Sequence, residues 1–226
     1  MLLRDGVSGP ETLLLRRPAG SRFAGGAWVF PGGVVDTEDE GDNGPRVDGL
    51  LWSAWADAGE RAAAAHIRAA VREVWEETGI LLGRSYASAA DARDLRRRLL
   101  AAEISFPAAA ELLGLSIEVG QMVYAGRWIT PSSFPRRYDT RFFLAVVPSD
   151  GAVELIGGEL EEAAWLHLSD ALTRHGAGRL PMLAPTVATL RLVEGHATAG
   201  DALDALRRTR LPSALERGER SMTKDE

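Results

Sequence analysis

Three glutamates in the middle of the chain have the spacing of a metal-ion site. They are Glu73, Glu76 and Glu77, and residues at i, i+3 and i+4 of a helix lie on one face. Three carboxylates so close together repel one another unless a cation lies among them. We therefore predict a bound divalent cation that connects this helix to a phosphate-bearing substrate. The alternative is a solvated acidic face, which such clusters usually form.

Composition narrows the choice of metal and of partner. The chain of 226 residues has no cysteine and four histidines, none with metal-ligand spacing to another, which disfavours zinc. Carboxylate ligands suit Mg²⁺ or Mn²⁺. The net charge of -6 argues against nucleic acid or an anionic membrane as a partner. A small anionic substrate would then need the cation for local positive charge.

The glutamates need a helix that ends just beyond them. An alanine-rich segment favours a helix from about Glu60 to Thr78, and Ile67, Val71 and Val74 have the spacing of a core-facing stripe. Gly79 follows at the position where helices end in a left-handed residue. We predict that this helix packs on the core and presents the carboxylates on another face.

Two short strands and a turn precede the helix. The patterns predict strands at 11–17 and 27–30, and Pro31-Gly32-Gly33 must then turn the chain. Because glycine lets a backbone approach a ligand closely, Gly32 and Gly33 are candidates to frame a diphosphate. Arg16 and Arg17 end the first strand and are candidates to bind a phosphate or a base, although such a run is more often a plain core strand.

The order of these residues resembles the Nudix hydrolase signature. That signature has Gly, five residues, Glu, seven residues, and then Arg-Glu-hydrophobic-x-Glu-Glu-x-Gly-hydrophobic. Its second half is matched position for position from Arg72 to Ile80. Its first half is not matched: counting back from Arg72 puts Ala64 where the signature has its first glutamate and Ala58 where it has its first glycine. We take Gly33 as the displaced glycine, 36–58 as an insertion, and Glu60 as one candidate to replace the missing glutamate.

The resemblance implies a mechanism and a fold. Glu73, Glu76 and Glu77 would hold the metal, Glu73 would be a ligand or the general base, and Arg72 would orient a glutamate. Glu159, six residues before Trp165, is the other candidate base; Glu162 is less favoured, and a solvated turn is the alternative. The implied fold is α+β, an α/β/α sandwich with a mixed sheet between helices and extra helices from the insertion and the C-terminal part.

Two further segments are similar to the branch of this family that includes acyl-coenzyme A diphosphatases. They are 28–36 and 127–147, and that branch also has a long insertion in its signature. The resemblance implies coenzyme A or acyl-coenzyme A as the substrate, with 3′,5′-ADP and a phosphopantetheine product. Arg137 joins Arg16 and Arg17 as a candidate for the distal phosphate or nucleotide. Another nucleotide diphosphatase and a non-catalytic nucleotide sensor are the competing interpretations.

Other patterns complete the expected architecture. The remaining helices are predicted at 88–102 with a Ser88 cap, at 107–113, from a Ser169 cap, at 185–193 and at 200–208; the remaining strands are predicted at 119–129 and 141–147. Trp52 and Trp55 suggest a helical piece at 50–56. We expect the acidic loop 36–43 to be solvated and mobile. We also expect a solvated face on the helix at 88–102, formed by Arg93, Arg96, Arg97 and Arg98.

Domain organisation and location follow by default. We expect one domain over 1–212 and a disordered tail over 213–226, where charged residues dominate. There is no apolar stretch of membrane-spanning length and no secretory signal, so we expect a cytoplasmic protein. The oligomeric state, a homodimer included, is not set by the sequence.

Overall fold

The structure is a computed structural model. It describes residues 1–21, 23–48, 59–133, 137–156, 158 and 160–209. The predicted helical piece at 50–56, the candidate base Glu159 and the tail 213–226 lie outside the described residues.

A mixed sheet forms the centre of the molecule. Its strands are β1 Leu2–Gly6, β2 Gly9–Arg16, β3 Trp28–Val29, β6 Met122–Ile129, β7 Asp139–Val146 and β8 Glu162–His167. They run in the order β3-β2-β1-β7-β6, and β8 pairs with β2. The pair β1–β7 is parallel and the other pairs are antiparallel. A separate parallel pair consists of β4 Arg46–Asp48 and β5 Ser116–Glu118.

Helices cover both faces of the sheet. Within the described ranges they are α1 Gly59–Thr78, α2 Ala89–Leu100, α3 Phe106–Leu113, α4 Leu168–Gly176, α5 Ala184–Val193 and α6 Ala199–Arg208. Because side chains alternate along a strand, β7 sends Phe143 into the core with α1 to α3, and Leu144 into the core with α4 to α6. The predicted α/β/α sandwich with a mixed sheet is confirmed.

Most predicted elements are present with shifted ends. The Ser88 cap is confirmed, since its side chain accepts a hydrogen bond from the backbone N–H of Asp91. The Ser169 cap is wrong, because His167 occupies the cap position of α4 and its side chain makes no capping bond. The strand predicted at 119–129 begins with a 3₁₀ turn, Val119–Gln121. Strand β1 was not predicted.

The arginine-rich face of α2 is solvated only in part. The side chain of Arg96 is 1% exposed, and its Nη2 donates to the backbone oxygens of Glu76 (2.9 Å) and Glu154 (2.7 Å). The expectation of solvent at this position is therefore wrong. No helix among the described residues combines the length and apolarity needed to cross a bilayer.

Candidate functional site

The carboxylate-bearing helix forms as the sequence predicts. Ile67 and Val71 are fully buried and Val74 nearly so, which fixes the face of α1 that packs on the sheet. The helix ends at Thr78, whose hydroxyl donates to the backbone oxygen of Val74 (2.6 Å). Gly79 has φ +79° and donates its N–H to the oxygen of Trp75 (2.9 Å). The left-handed residue expected at the end of the helix is confirmed.

One guanidinium brings two of the glutamates together. Nη1 of Arg72 donates to Oε1 of Glu73 (3.0 Å) and to Oε2 of Glu76 (3.2 Å). Burial alone would lower the pKa of Arg72, but its hydrogen bonds to Asp39 and the charge of Glu73 outweigh burial and raise that pKa. Arg72 therefore stays charged and orients both carboxylates.

Asp39 is the partner on the other side of Arg72. Its side chain is fully buried and accepts from Nη2 of Arg72 (2.9 Å) and from Nε (3.2 Å). It also accepts from the backbone N–H of Asp36 (2.8 Å). Arg68, one turn earlier on α1, donates to the backbone oxygens of Asp39 and Gly41. The acidic loop is thus anchored to α1, and the expectation that it is solvated is wrong at Asp39.

Sequence reasoning missed Asp39 because it counted backwards from Arg72. Counting forwards from Gly33, five residues and then a carboxylate lead to Asp39, which is the spacing of the first half of the Nudix signature. Glu60, the replacement suggested from sequence, is exposed and lies three turns before Arg72 on α1. The structure therefore gives the carboxylate position to Asp39, and the suggestion of Glu60 is wrong.

The glycine turn contacts two of the three glutamates, Glu77 and Glu73. The N–H of Gly32 donates to Oε2 of Glu77 (2.9 Å). A Cβ atom added to Gly33 would lie 2.5 Å from Cδ of Glu73, so any side chain here would displace the Glu73 carboxylate. Gly32 has φ +150°, a conformation that L side chains rarely adopt. The structure therefore joins the predicted turn to the predicted carboxylate helix.

The electrostatics of this cluster suit a cation. Burial raises the pKa of Glu76 to about 7, Arg72 opposes this rise, and the charge of Glu73 adds to it. Burial and the neighbouring charge of Glu73 thus disfavour a bare carboxylate at Glu76. Within the described residues, no three His, Cys, Asp or Glu side chains converge in an arrangement that could hold a metal ion. The fit to Mg²⁺ or Mn²⁺ rests on the oxygen donors and on the raised pKa of Glu76.

The other predicted site residues have contacts away from the glutamates. Arg16 forms ion pairs with Glu161 (3.2 Å) and Glu162 (3.3 Å) at the end of β2. Arg17 has a buried Nε for which the described residues offer no hydrogen-bond partner. Arg137 is exposed and donates to the backbone oxygen of Thr130 (2.8 Å). These arginines are not brought into the cluster around Arg72.

Comparison with known proteins identifies the family of the chain. No protein-family model matches the chain. A curated relative from Caenorhabditis elegans, named "Putative nudix hydrolase 7", is 28% identical over 178 residues, 78% of this chain and 53% of the relative. The chain thus spans about half the length of that relative. A crystal structure of a NUDIX hydrolase from Alicyclobacillus acidocaldarius matches with a TM-score of 0.72 and 31% identity, over 90% of this chain and 92% of that chain. At this identity and coverage, the chain belongs to the Nudix hydrolase family.

Proposed function

We propose that this protein hydrolyses the diphosphate linkage of a nucleoside diphosphate derivative with the help of Mg²⁺ or Mn²⁺. The observation that carries the proposal is the contact between the glutamates of α1 and the glycine turn. Glu77 accepts from the N–H of Gly32, and Glu73 lies against Gly33. A cation among these carboxylates and a diphosphate beside the turn would share one small region of the surface.

In this proposal the residues of α1 divide the work. Glu73, Glu76 and Glu77 hold the cation, which when bound neutralises phosphate oxygens and lowers the pKa of a bound water. Arg72 is a positioning residue, since its guanidinium contacts Glu73, Glu76 and Asp39. The general base that takes the proton from the attacking water is Glu73 or Glu159.

We propose coenzyme A or acyl-coenzyme A as the substrate, cleaved by water to 3′,5′-ADP and a phosphopantetheine product. The support is the similarity of segments 28–36 and 127–147 to the acyl-coenzyme A diphosphatase branch. Arg17 would hold a distal phosphate, because its buried Nε has no hydrogen-bond partner among the described residues. Arg16 and Arg137 are the other candidates for that phosphate.

A substrate screen tests the proposal. Coenzyme A, an acyl-coenzyme A, ADP-ribose and NADH are incubated with Mg²⁺, with Mn²⁺ and with EDTA, and the products are identified. We expect metal-dependent cleavage, fastest for the coenzyme A compounds. Faster cleavage of ADP-ribose or of a nucleotide sugar would show a different diphosphatase. No cleavage of any compound with a P–O–P linkage would refute the enzyme.

A pair of variants separates the enzyme from a nucleotide sensor. Glu76→Gln removes one carboxylate charge from the cluster, whereas Glu60→Gln makes the same change at an exposed position of the same helix. A lost metal ligand costs several kcal/mol of transition-state stabilisation, so kcat of Glu76→Gln should fall at least about 100-fold. Glu60→Gln should keep its rate. If the wild type turns the substrate over and Glu76→Gln only binds it, the non-catalytic sensor is excluded.

A further inference from the structure

One arginine of α1, Arg68, binds the backbone of the loop formed by residues 36–45. Its Nε donates to the backbone oxygen of Pro45 (3.1 Å). Its Nη1 donates to the backbone oxygens of Asp39 (3.1 Å) and Gly41 (3.0 Å). Because the N–H groups of a guanidinium are fixed in one plane, these bonds hold three points of the loop together. Arg68 therefore attaches the loop 36–45 to the helix.

Asp39 is the residue that this attachment shares with the glutamate cluster. Arg68 holds its backbone oxygen, whereas Arg72 holds its buried carboxylate, with 2.9 Å between Nη2 and Oδ2. The two arginines are at i and i+4, so they lie on one face of α1, about 6 Å apart along the helix axis. The position of the Asp39 carboxylate thus depends on both arginines.

The chain around Asp39 does not orient it towards α1 by itself. Its N–H donates to the backbone oxygen of Asp36 (3.0 Å), and its carboxylate accepts from the N–H of Asp36 (2.8 Å). These bonds fix the shape of the loop, but they do not connect it to the helix. Thirty-two residues separate Asp39 from Arg72, and a connection of this length leaves many arrangements of its ends open. Arg68 supplies the missing connection at the backbone of Asp39.

The packing of the loop distinguishes Arg68 from a second arginine of the same helix. A Cβ atom added to Gly44 would lie 2.9 Å from both Cδ and Nε of Arg68, so the loop backbone lies directly against this side chain. Arg61, two turns earlier, makes one bond to the loop, from its Nε to the backbone oxygen of Glu40 (3.2 Å) at an exposed position. Water competes with such a bond, so Arg61 should hold the loop only weakly.

We propose that Arg68 positions the glutamates of α1 through Asp39 and Arg72, because it fixes the loop 36–45 on the helix. This inference rests on the proposed function and adds a residue that acts on the cation site through others. Two simpler roles lead to different expectations. A residue that only stabilises the fold would not act through Asp39. A residue that only adds positive charge would repel a nearby cation, so its removal would tighten cation binding.

Arg68→Met gives the direct test, because it removes the three bonds and keeps most of the apolar stem. Loss of a group that orients metal ligands typically costs 10- to 100-fold in metal affinity or activity. We expect kcat to fall about tenfold, and the Kd for Mn²⁺ measured by calorimetry to rise about tenfold. Arg61→Met makes the same change at the exposed contact and should keep both values within about twofold of the wild type. Arg68→Lys keeps the charge but not the fork and should recover part of the loss.

A double-mutant cycle decides whether the effect passes through Asp39. In the background of Asp39→Asn, Arg68→Met should change kcat and the Mn²⁺ Kd by less than about twofold, because the carboxylate that it positions is already absent. An effect of equal size in both backgrounds would overturn the proposal. Wild-type values in Arg68→Met, or tighter Mn²⁺ binding, would overturn it as well. If Arg68→Met does not fold, Arg68→Lys takes its place in the same cycle.

Hydrogen exchange separates a failure of this inference from a failure of the proposed function. The amide N–H of Asp39 should exchange at least about tenfold faster in Arg68→Met than in the wild type or in Arg61→Met, as measured by NMR. If the wild type neither cleaves a P–O–P linkage nor binds Mn²⁺, the proposed function fails, and faster exchange still supports the hold of Arg68 on Asp39. Unchanged exchange would refute that hold even in an active enzyme.

Discussion

Two buried arginines connect α1 to the rest of the protein, one from α1 itself and one from α2, and they do so by different means. Arg72 is 9% exposed and Arg96 is 1% exposed. Arg72 donates to the carboxylates of Asp39, Glu73 and Glu76. Arg96 comes from α2, and its Nη2 donates to backbone oxygens, one in the last turn of α1 and one at Glu154. Arg72 also donates to the backbone oxygen of Val34 (2.9 Å), and Arg96 also lies 3.5 Å from a carboxylate oxygen of Glu154. The contacts of Arg72 are thus mainly with carboxylates, whereas the hydrogen bonds of Arg96 are with backbone oxygens.

The pKa values of the two groups record this difference. Hydrogen bonds and charges from Asp39 and Glu73 outweigh burial and raise the pKa of Arg72. Burial lowers the pKa of Arg96, and the charge of the partly exposed Glu154 offsets only part of this decrease. A cation near a helix C-terminus satisfies backbone oxygens that lack partners in the helix. We infer that Arg72 organises the chemistry of the site and Arg96 the end of the helix that carries it.

The largest effect is expected for Arg72→Gln. This change leaves the fully buried Asp39 and two neighbouring glutamates without their shared cation. Breaking a buried ion pair from one side costs about 3–5 kcal/mol in free energy of unfolding. Urea denaturation measures the loss, with Arg97→Gln as a solvated control that should stay within about 0.5 kcal/mol of the wild type. A loss no larger than that of the control would show that Arg72 does not compensate this cluster.

Asp39→Asn should have the next largest effect. The amide keeps the shape of the side chain but loses the charge that faces Arg72, a loss of about 2 kcal/mol for a charge-assisted contact. Turnover should fall as well, because Arg72 would no longer be held towards Glu73 and Glu76. Denaturation and steady-state kinetics measure both, with the exposed Asp42→Asn as the control from the same loop. Wild-type kcat in Asp39→Asn would contradict the positioning role.

Arg96→Met should lower stability modestly and leave the chemistry in place. It removes two hydrogen bonds to backbone oxygens, but it also removes a buried charge whose Nε and Nη1 have no hydrogen-bond partner in the described part of the chain. These terms oppose each other, so we expect a net loss of about 1 kcal/mol. Assayed well below its melting temperature, the variant should keep kcat within a few-fold. A folded variant without turnover would remove the distinction between the two arginines.

The smallest effect is a pH dependence of stabilisation by Mg²⁺. Burial raises the pKa of Glu76 from 4.5 to about 7, so in the metal-free protein its contribution to stability is present below pH 4.5 and is lost as the pH rises through 7. A cation replaces the proton and offsets that loss. The rise in melting temperature on replacing EDTA with Mg²⁺ should therefore be greater at pH 8 than at pH 6. A rise that does not change with pH would place the cation away from Glu76.

The sequence predicts the regular parts of the fold well, because their signals are local. The apolar spacing of Ile67, Val71 and Val74 and the glycine after Thr78 define α1 without knowledge of any partner. The Ser88 cap is equally local, since it needs only the residue three positions on. The Ser169 cap failed because the chain enters α4 directly from β8, so that His167 takes the cap position.

The site itself depends on contacts between distant residues, and there the sequence was less informative. Asp39 reaches Arg72 across more than thirty positions, and its burial cannot be read from an acidic loop. Arg96 is one of four arginines with the same local environment, and only the packing of α2 against the end of α1 separates it from the others. Arg68 likewise reaches the loop 36–45 across more than twenty positions.

The ion pair between Asp39 and Arg72 also closes a long stretch of chain, because 32 residues lie between the two partners. Closing a loop costs entropy that grows only with the logarithm of its length. Compared with a separation of seven residues, this separation adds roughly 1.3 kcal/mol to that entropy cost, less than the free energy lost when one buried ion pair is broken. We therefore expect the chain between Asp39 and the start of α1 to accept changes of length while the ion pair is kept.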